Sequence, residues 1–138
     1  MCASRSLAPP GPSADRVSYE GGSFFERVPE GCDAYLMKHI VHDRDDGSCR
    51  RILSLMREQL LKTAPETGRV FLAEMVVPDS PGPAPAKALD IEMLVCTRGG
   101  KERTTAEFAG LFESAGLGLI GITPTPSPVC LIEAAVAK

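Results

Sequence analysis

Apolar residues are distributed along the chain in two kinds of run. Residues 32–41 carry Ala34, Tyr35, Leu36, Met37, Ile40 and Val41, and residues 70–77 read VFLAEMVV. Near-continuous runs of this length predict strands covered on both faces. Elsewhere the apolar positions recur at three and four. Cys49, Ile52, Leu53, Met56 and Leu60 mark one face of a helix that Asp45 or Asp46 caps and that runs to about Lys62. Arg50, Arg51, Arg57 and Glu58 fall largely on its other face, and Pro65 and Gly68 close the connection. Residues 86–97 predict a helix apolar on more than one side, with Leu89, Met93 and Leu94 sharing a face and Ile91 and Val95 nearby. Such a helix is expected between the sheet and another layer. Thr104 and Glu107 form a capping box ahead of Phe108, Leu111, Phe112 and Ala115, and Gly116 ends that helix. Residues 117–123 and 129–136 predict two strands joined by TPTPSP, an antiparallel hairpin closing one sheet edge. Val17 and Tyr19 alternate with polar neighbours, which predicts a short strand over residues 16–19. The order of elements predicts an α/β fold: a mostly parallel sheet, a C-terminal antiparallel hairpin, and helices on the sheet faces.

Composition narrows the class. At 138 residues the chain is expected to hold one domain at 16–138, behind a leader at 1–15 rich in Ala, Ser and Pro that reads as disordered. Lys and Arg number 15 against 18 Asp and Glu, interspersed along the chain, and there is no Trp. That balance argues against nucleic acid as a partner, since neither a basic patch nor a stacking platform is present. No apolar run is long enough for a membrane span, so no membrane partner is expected. The five Cys form no CxxC, which reads as free or buried thiols in a reducing compartment and makes the cytoplasm the expected location. The leader lacks the apolar core of a signal peptide.

Chemistry concentrates in residues 32–46, where a strand ends in His39, His42, Asp43, Asp45 and Asp46 before a helix begins. The carboxyl ends of strands are where open α/β sheets keep their sites. Glu74 is the lone charge in the 70–77 strand, so it needs a partner, a polar cavity or a raised pKa. Phe24 and Phe25 read as core, with an adenine ring lying against one of them as the alternative. Residues 98–103, RGGKER, read as a flexible, solvated turn. Neither Gly21-Gly22 nor GLGLIG at 116–121 opens a helix behind a strand, so neither is a strong phosphate cradle. A metal hydrolase built on His39, His42 and Asp45 lacks a helical HExxH frame, and no metal ligands are assigned. His39 reads as a packed or hydrogen-bonded residue.

Several ordered motifs carry a family resemblance: GGSFFERVP, DAYLMKHIVHDRDD, GRVFLAEMVVP, LDIEMLVCTRGGKERT and SPVCLIEA. Together, over about residues 14–135, they resemble the C-terminal half of the catalytic domain of S-adenosylmethionine-dependent small-molecule O-methyltransferases. This is the group of plant phenolic and bacterial polyketide-tailoring enzymes. The resemblance implies a partial Rossmann-like methyltransferase sheet and S-adenosylmethionine as cofactor. It implies His42 as general base, with Glu74 and Glu102 as the acidic residues flanking it. Ser23 and Phe24 would lie near the adenosine, Lys38 would help hold the donor, and Asp43 would sit near the sulfonium or organise the motif. Met93 and Thr97 would line the pocket of a small hydroxyl-bearing acceptor. The chemistry suits these types. Methyl transfer is an in-line displacement, a phenol ionises at about 10, and a histidine ionising at about 6.5 takes its proton once the reactants are aligned.

Three positions depart from the family pattern: Ser23 where Asp is common, Arg44 where the motif has Trp, and Thr97 where some plant members have Asn. The family's Gly-rich donor turn and its N-terminal dimerisation domain have no counterpart in the sequence. Family members are homodimers, and the resemblance leaves the assembly of this chain unassigned. The strand at 32–41, central in the family, is expected here as an exposed edge that invites association. The competing expectation is a catalytically incompetent fragment that acts as a structural or partner-dependent piece.

Overall fold

The computed structural model describes residues 17–137. The elements in order are β1 (Ala34–Lys38), α1 (Asp46–Thr63), β2 (Arg69–Glu74), β3 (Val76–Val77), α2 (Pro85–Cys96), β4 (Arg103–Thr104), α3 (Thr105–Ser114), β5 (Leu117–Pro124) and β6 (Cys130–Val136). Four strands form a mixed sheet in the order β1-β2-β6-β5, and β3 pairs with β4 in a separate two-stranded ribbon. The pairs β1–β2 and β3–β4 are parallel, and β6 runs antiparallel to both β2 and β5. The fold is a partial Rossmann-like sheet with flanking helices.

One core holds the sheet to α1 and α3. Tyr35 and Met37 of β1, Val70 and Leu72 of β2, and Ile132 and Ala134 of β6 point into it. They meet Ile52, Leu53 and Leu60 of α1 and Phe108, Leu111 and Phe112 of α3. Each fully buried large side chain contributes about 1.5–3 kcal/mol relative to exposure. Helix α1 starts where expected. The Asp45 carboxylate accepts from the Ser48 N–H at 2.8 Å, and the buried face is Cys49, Ile52, Leu53, Met56 and Leu60. The Thr104–Glu107 capping box opens α3. Gly116, at φ 74°, supplies the left-handed turn after it.

Several expectations change. The run at 32–41 gives a five-residue strand that alternates, with Tyr35 and Met37 buried and Ala34, Leu36 and Lys38 exposed. It is not covered on both faces. β1 stands at the sheet edge, as the resemblance implied, and Leu36 is 67% exposed. The run at 70–77 breaks at Met75 into β2 and β3, which lets the chain leave the sheet and pair with β4. Residues 17–20 form no strand, and Arg16 and the leader at 1–15 lie outside the described residues. In α2, Ala86 and Met93 are buried while Ile91, Leu94 and Val95 stand exposed. Among the described residues nothing covers that second apolar face. The hairpin forms as expected, with β6 inside the sheet and β5 at its far edge.

Candidate active site

The site forms where β1 and β2 end side by side. Their parallel register sets Lys38 opposite Ala73, so Glu74 leaves β2 level with the turn that follows β1. That turn begins at His39, whose φ of 53° ends the strand. Glu74 Oε1 then accepts the N–H groups of Ile40 at 3.1 Å and Val41 at 2.9 Å. A fully buried carboxylate thereby replaces the missing strand partner. Burial pushes the Glu74 pKa up, and the Val41 N–H and His42 oppose the shift.

His42 sits over this carboxylate. Its Nδ1 lies 2.8 Å from Glu102 Oε1, its Nε2 lies 3.3 Å from Asp43 Oδ1, and Glu74 Oε2 is 4.0 Å from Nδ1. The shorter carboxylate contact, at Nδ1, favours the tautomer with the N–H there, in which the lone pair is on Nε2 beside Asp43. Only 11% of the side chain is exposed. Glu102 is itself positioned, because its N–H donates to Asp90 Oδ1 on α2 at 2.8 Å. His39 lies beside His42 with ring centroids 5.1 Å apart, and burial lowers its pKa.

The turn carrying His42 is clamped by Arg103. This buried guanidinium donates through Nη1 to the carbonyls of Val41 at 2.9 Å and Lys101 at 3.2 Å, and through Nη2 to Arg44 at 3.1 Å. Nη2 also meets Asp46 Oδ1 at 2.7 Å. The segment read as a solvated turn is thus partly a buried anchor. Gly100 packs on the same backbone, where a Cβ would stand 2.4 Å from the His42 carbonyl oxygen. Asp90, Gly100 and Arg103 carried no signal in the sequence. A charge in a loop and a glycine in a turn read the same whether solvated or buried.

Of the expected residues, His42, Glu74 and Glu102 converge, and Asp43 joins them. Met93 and Thr97 line a cleft of about 610 Å³ with Phe25, Asp43, Arg44 and Arg98. The Thr97 hydroxyl is engaged in the end of α2, donating to the Met93 carbonyl at 2.8 Å and accepting from the Gly100 N–H at 2.9 Å. Ser23, Phe24 and Lys38 lie outside that cleft. Ser23 accepts from the Glu26 and Arg27 N–H groups in a turn, and Phe24 leans on Phe25 with centroids 4.8 Å apart. Lys38 stands exposed at the end of β1.

Residues 3–118 match the O-methyltransferase domain family. The chain belongs to that family. The match begins inside the leader, upstream of residues 14–135, which carry the family motifs. Caffeic acid 3-O-methyltransferase of Zinnia elegans is 40% identical over 112 residues, covering 75% of this chain and 30% of the relative. Phenazine O-methyltransferase PhzM of Lysobacter antibioticus is 37% identical over 120 residues, covering 87% of this chain and 34% of the relative. Among solved structures, CalO1, a methyltransferase in calicheamicin biosynthesis in its SAH-bound form, superposes with a TM-score of 0.81 at 32% identity. That match covers 92% of this chain and 37% of CalO1. The chain therefore spans about a third of the length of these O-methyltransferase relatives. No helix among the described residues is long and apolar enough to cross a membrane.

Proposed function

We propose that this chain supplies the acceptor-activating part of an O-methyltransferase acting on a hydroxyl of a small aromatic or polyketide-like molecule, with His42 as general base. The carrying observation is the Glu102 carboxylate 2.8 Å from His42 Nδ1. With Nδ1 engaged, Nε2 takes the acceptor's proton, and Glu102 and Asp43 offset the charge that forms on the ring. Glu74 holds the His42 turn through the Ile40 and Val41 N–H groups and adds a carboxylate 4.0 Å from Nδ1. Met93 and the Phe25 side of the cleft supply the apolar surface for an aromatic acceptor. The names of the two O-methyltransferase relatives, caffeic acid and phenazine enzymes, support that class of acceptor.

S-adenosylmethionine is the proposed donor, and it supplies the electrophilic methyl when bound. The residues fit one wall of its site. The Phe24 ring is open to a flat heterocycle, and the Lys38 ammonium is free of carboxylates in the described contacts. Ser23 offers a hydroxyl where a carboxylate would grip more strongly. The test is transfer of labelled methyl to phenols and hydroxylated polyketides by the chain and by His42→Ala. The proposal expects a loss of at least about 100-fold in the variant, and equal rates would remove His42 from the role of base.

A second reading is favoured by the open faces of β1 and α2. On it, the chain binds no donor without a complementary segment and works only beside it. Calorimetry with S-adenosylhomocysteine separates the two, because micromolar binding by the chain alone contradicts the second.

A further inference from the structure

Three buried polar atoms around His42 have no hydrogen-bond partner among the described residues: His39 Nδ1, Glu74 Oε2 and Glu102 Oε2. Buried polar atoms are nearly always paired, so three in one cluster call for an explanation. His39 Nδ1 and His42 Nδ1 lie 3.8 Å and 4.0 Å from the same oxygen, Glu74 Oε2, too far for hydrogen bonds. One donor atom from each of His39, His42 and Glu74 falls within 4.8 Å of the other two. Among the described ion pairs, neither Glu74 nor Glu102 meets a Lys or Arg; their ionic neighbours are histidines.

We propose that His39, His42 and Glu74 form a binding site for a divalent transition metal ion of the zinc class. Two imidazoles and a carboxylate favour zinc or cobalt over magnesium or calcium, which prefer oxygen donors. Bonds of about 2.0–2.1 Å to a tetrahedral ion place neighbouring donors about 3.3 Å apart. The observed 3.8 and 4.0 Å contacts to Glu74 reach that value with shifts well under an ångström, and the two imidazoles close the remaining gap from within 4.8 Å as His39 turns toward His42. Glu74 is the fixed member, held by two backbone N–H groups. His39 is the adjustable one, placed in the turn after β1 and 35% exposed, so the ion approaches from its side.

Ligation has a consequence for His42. Its Nδ1 is the ring nitrogen near Glu74, and it faces Glu102 at 2.8 Å. A metal on Nδ1 needs that lone pair, so the ring proton moves to Nε2, where Asp43 Oδ1 accepts it at 3.3 Å. The ring stays neutral and no net proton is released. Nε2 then carries a proton, so metal occupancy and proton abstraction by His42 exclude each other.

The test is cobalt(II) and zinc(II) titration of the chelator-treated full chain, without methyl donor or acceptor, so its failure is distinct from a failure of methyl transfer. One equivalent of cobalt is expected, with the visible absorption of a low-coordinate site, no thiolate charge-transfer band, and displacement by zinc. His39→Gly is the decisive variant, because glycine keeps the positive φ while removing the ligand. It is expected to weaken binding at least about tenfold. Glu74→Gln should do the same. Absence of stoichiometric binding, a thiolate band, or unchanged affinity in His39→Gly overturns the proposal.

Discussion

Arg103 Nη1 donates to the carbonyl of Val41 at 2.9 Å, across 62 residues of chain. That bond ties the ribbon strand β4 to the residue immediately before His42. The neighbouring donors extend the grip to Arg44 and Lys101, so one guanidinium fixes both ends of the turn that presents His42. Glu102, the residue before Arg103, reaches the imidazole from the same strand end. Position of His42 and orientation of its ring are therefore set by adjacent residues.

Arg103→Lys should be destabilising although it keeps the charge. A single ammonium cannot reach three carbonyls and Asp46 at once. Asp46 is 59% exposed, so the Coulombic part is screened, and the loss comes from carbonyls left unpaired in the interior. A loss of about 2–4 kcal/mol is expected. Chemical denaturation of the two proteins measures it, and equal midpoints would show that the clamp contributes nothing.

Gly100→Ala should reduce methyl transfer more than stability. The new Cβ would stand 2.4 Å from the His42 carbonyl oxygen and 2.4 Å from Thr97 Oγ1, so the backbone carrying His42 must move. A displacement on the ångström scale costs about 100-fold in rate. Gly110→Ala is the control, since nothing lies within 4 Å of a Cβ there. Within α3 that change should stabilise by about 0.5–1 kcal/mol. Both variants are read by initial rate and melting temperature.

Glu74→Gln and Glu74→Ala should part company. Glutamine keeps an oxygen for the Ile40 and Val41 N–H groups and removes a carboxylate that burial destabilises. Its stability at neutral pH should equal or exceed that of the parent. Alanine orphans both donors and leaves a cavity, at a cost of about 2–4 kcal/mol. Matching losses in the two variants would mean that Glu74 does not hold this turn by its oxygen.

The cap of α3 should give an acid-sensitive contribution. The Thr104 N–H, with help from Lys101, holds the Glu107 carboxyl below its ordinary value. A depressed carboxyl stabilises the fold above its unfolded value of about 4.3, and this contribution is lost as pH falls through the folded value. Thr104→Ala should cost about 1 kcal/mol at pH 7. The Glu107→Gln variant should show a shallower loss of stability below about pH 4.3 than the parent. Urea midpoints across that window test both, and parallel acid profiles would remove Glu107 as a source.

The open edge should drive association. Leu36 on β1 and Leu94 on α2 are 67% and 77% exposed. Leu36→Lys places a charge on the edge strand and should shift the chain toward monomer in sedimentation velocity. An unchanged distribution, or strong amide protection across residues 36–41 in a monomer, would argue against β1 as the adhesive edge.

By itself the sequence determined the elements whose signals are local. The three- and four-residue spacing from Cys49 to Leu60, the cap at Asp45 or Asp46, the Thr104–Glu107 box and the TPTPSP hairpin depend on neighbours a few residues apart, and each appears in the fold, with Asp45 as the cap. The motif around His42 likewise marked the candidate base, and its partners Glu74 and Glu102 came from the family resemblance. Tertiary structure alone decided what lies between distant segments. It showed that the 32–41 run buries one face only, because burial belongs to whatever packs against a strand and not to the strand's own composition. It turned Arg103 from a loop charge into the clamp on the His42 turn, and it brought Asp90 behind Glu102. It also left His39 Nδ1 and Glu74 Oε2 facing each other at 3.8 Å with no hydrogen bond, since a contact between residues 35 positions apart is written in the register of β1 against β2 and in no local pattern.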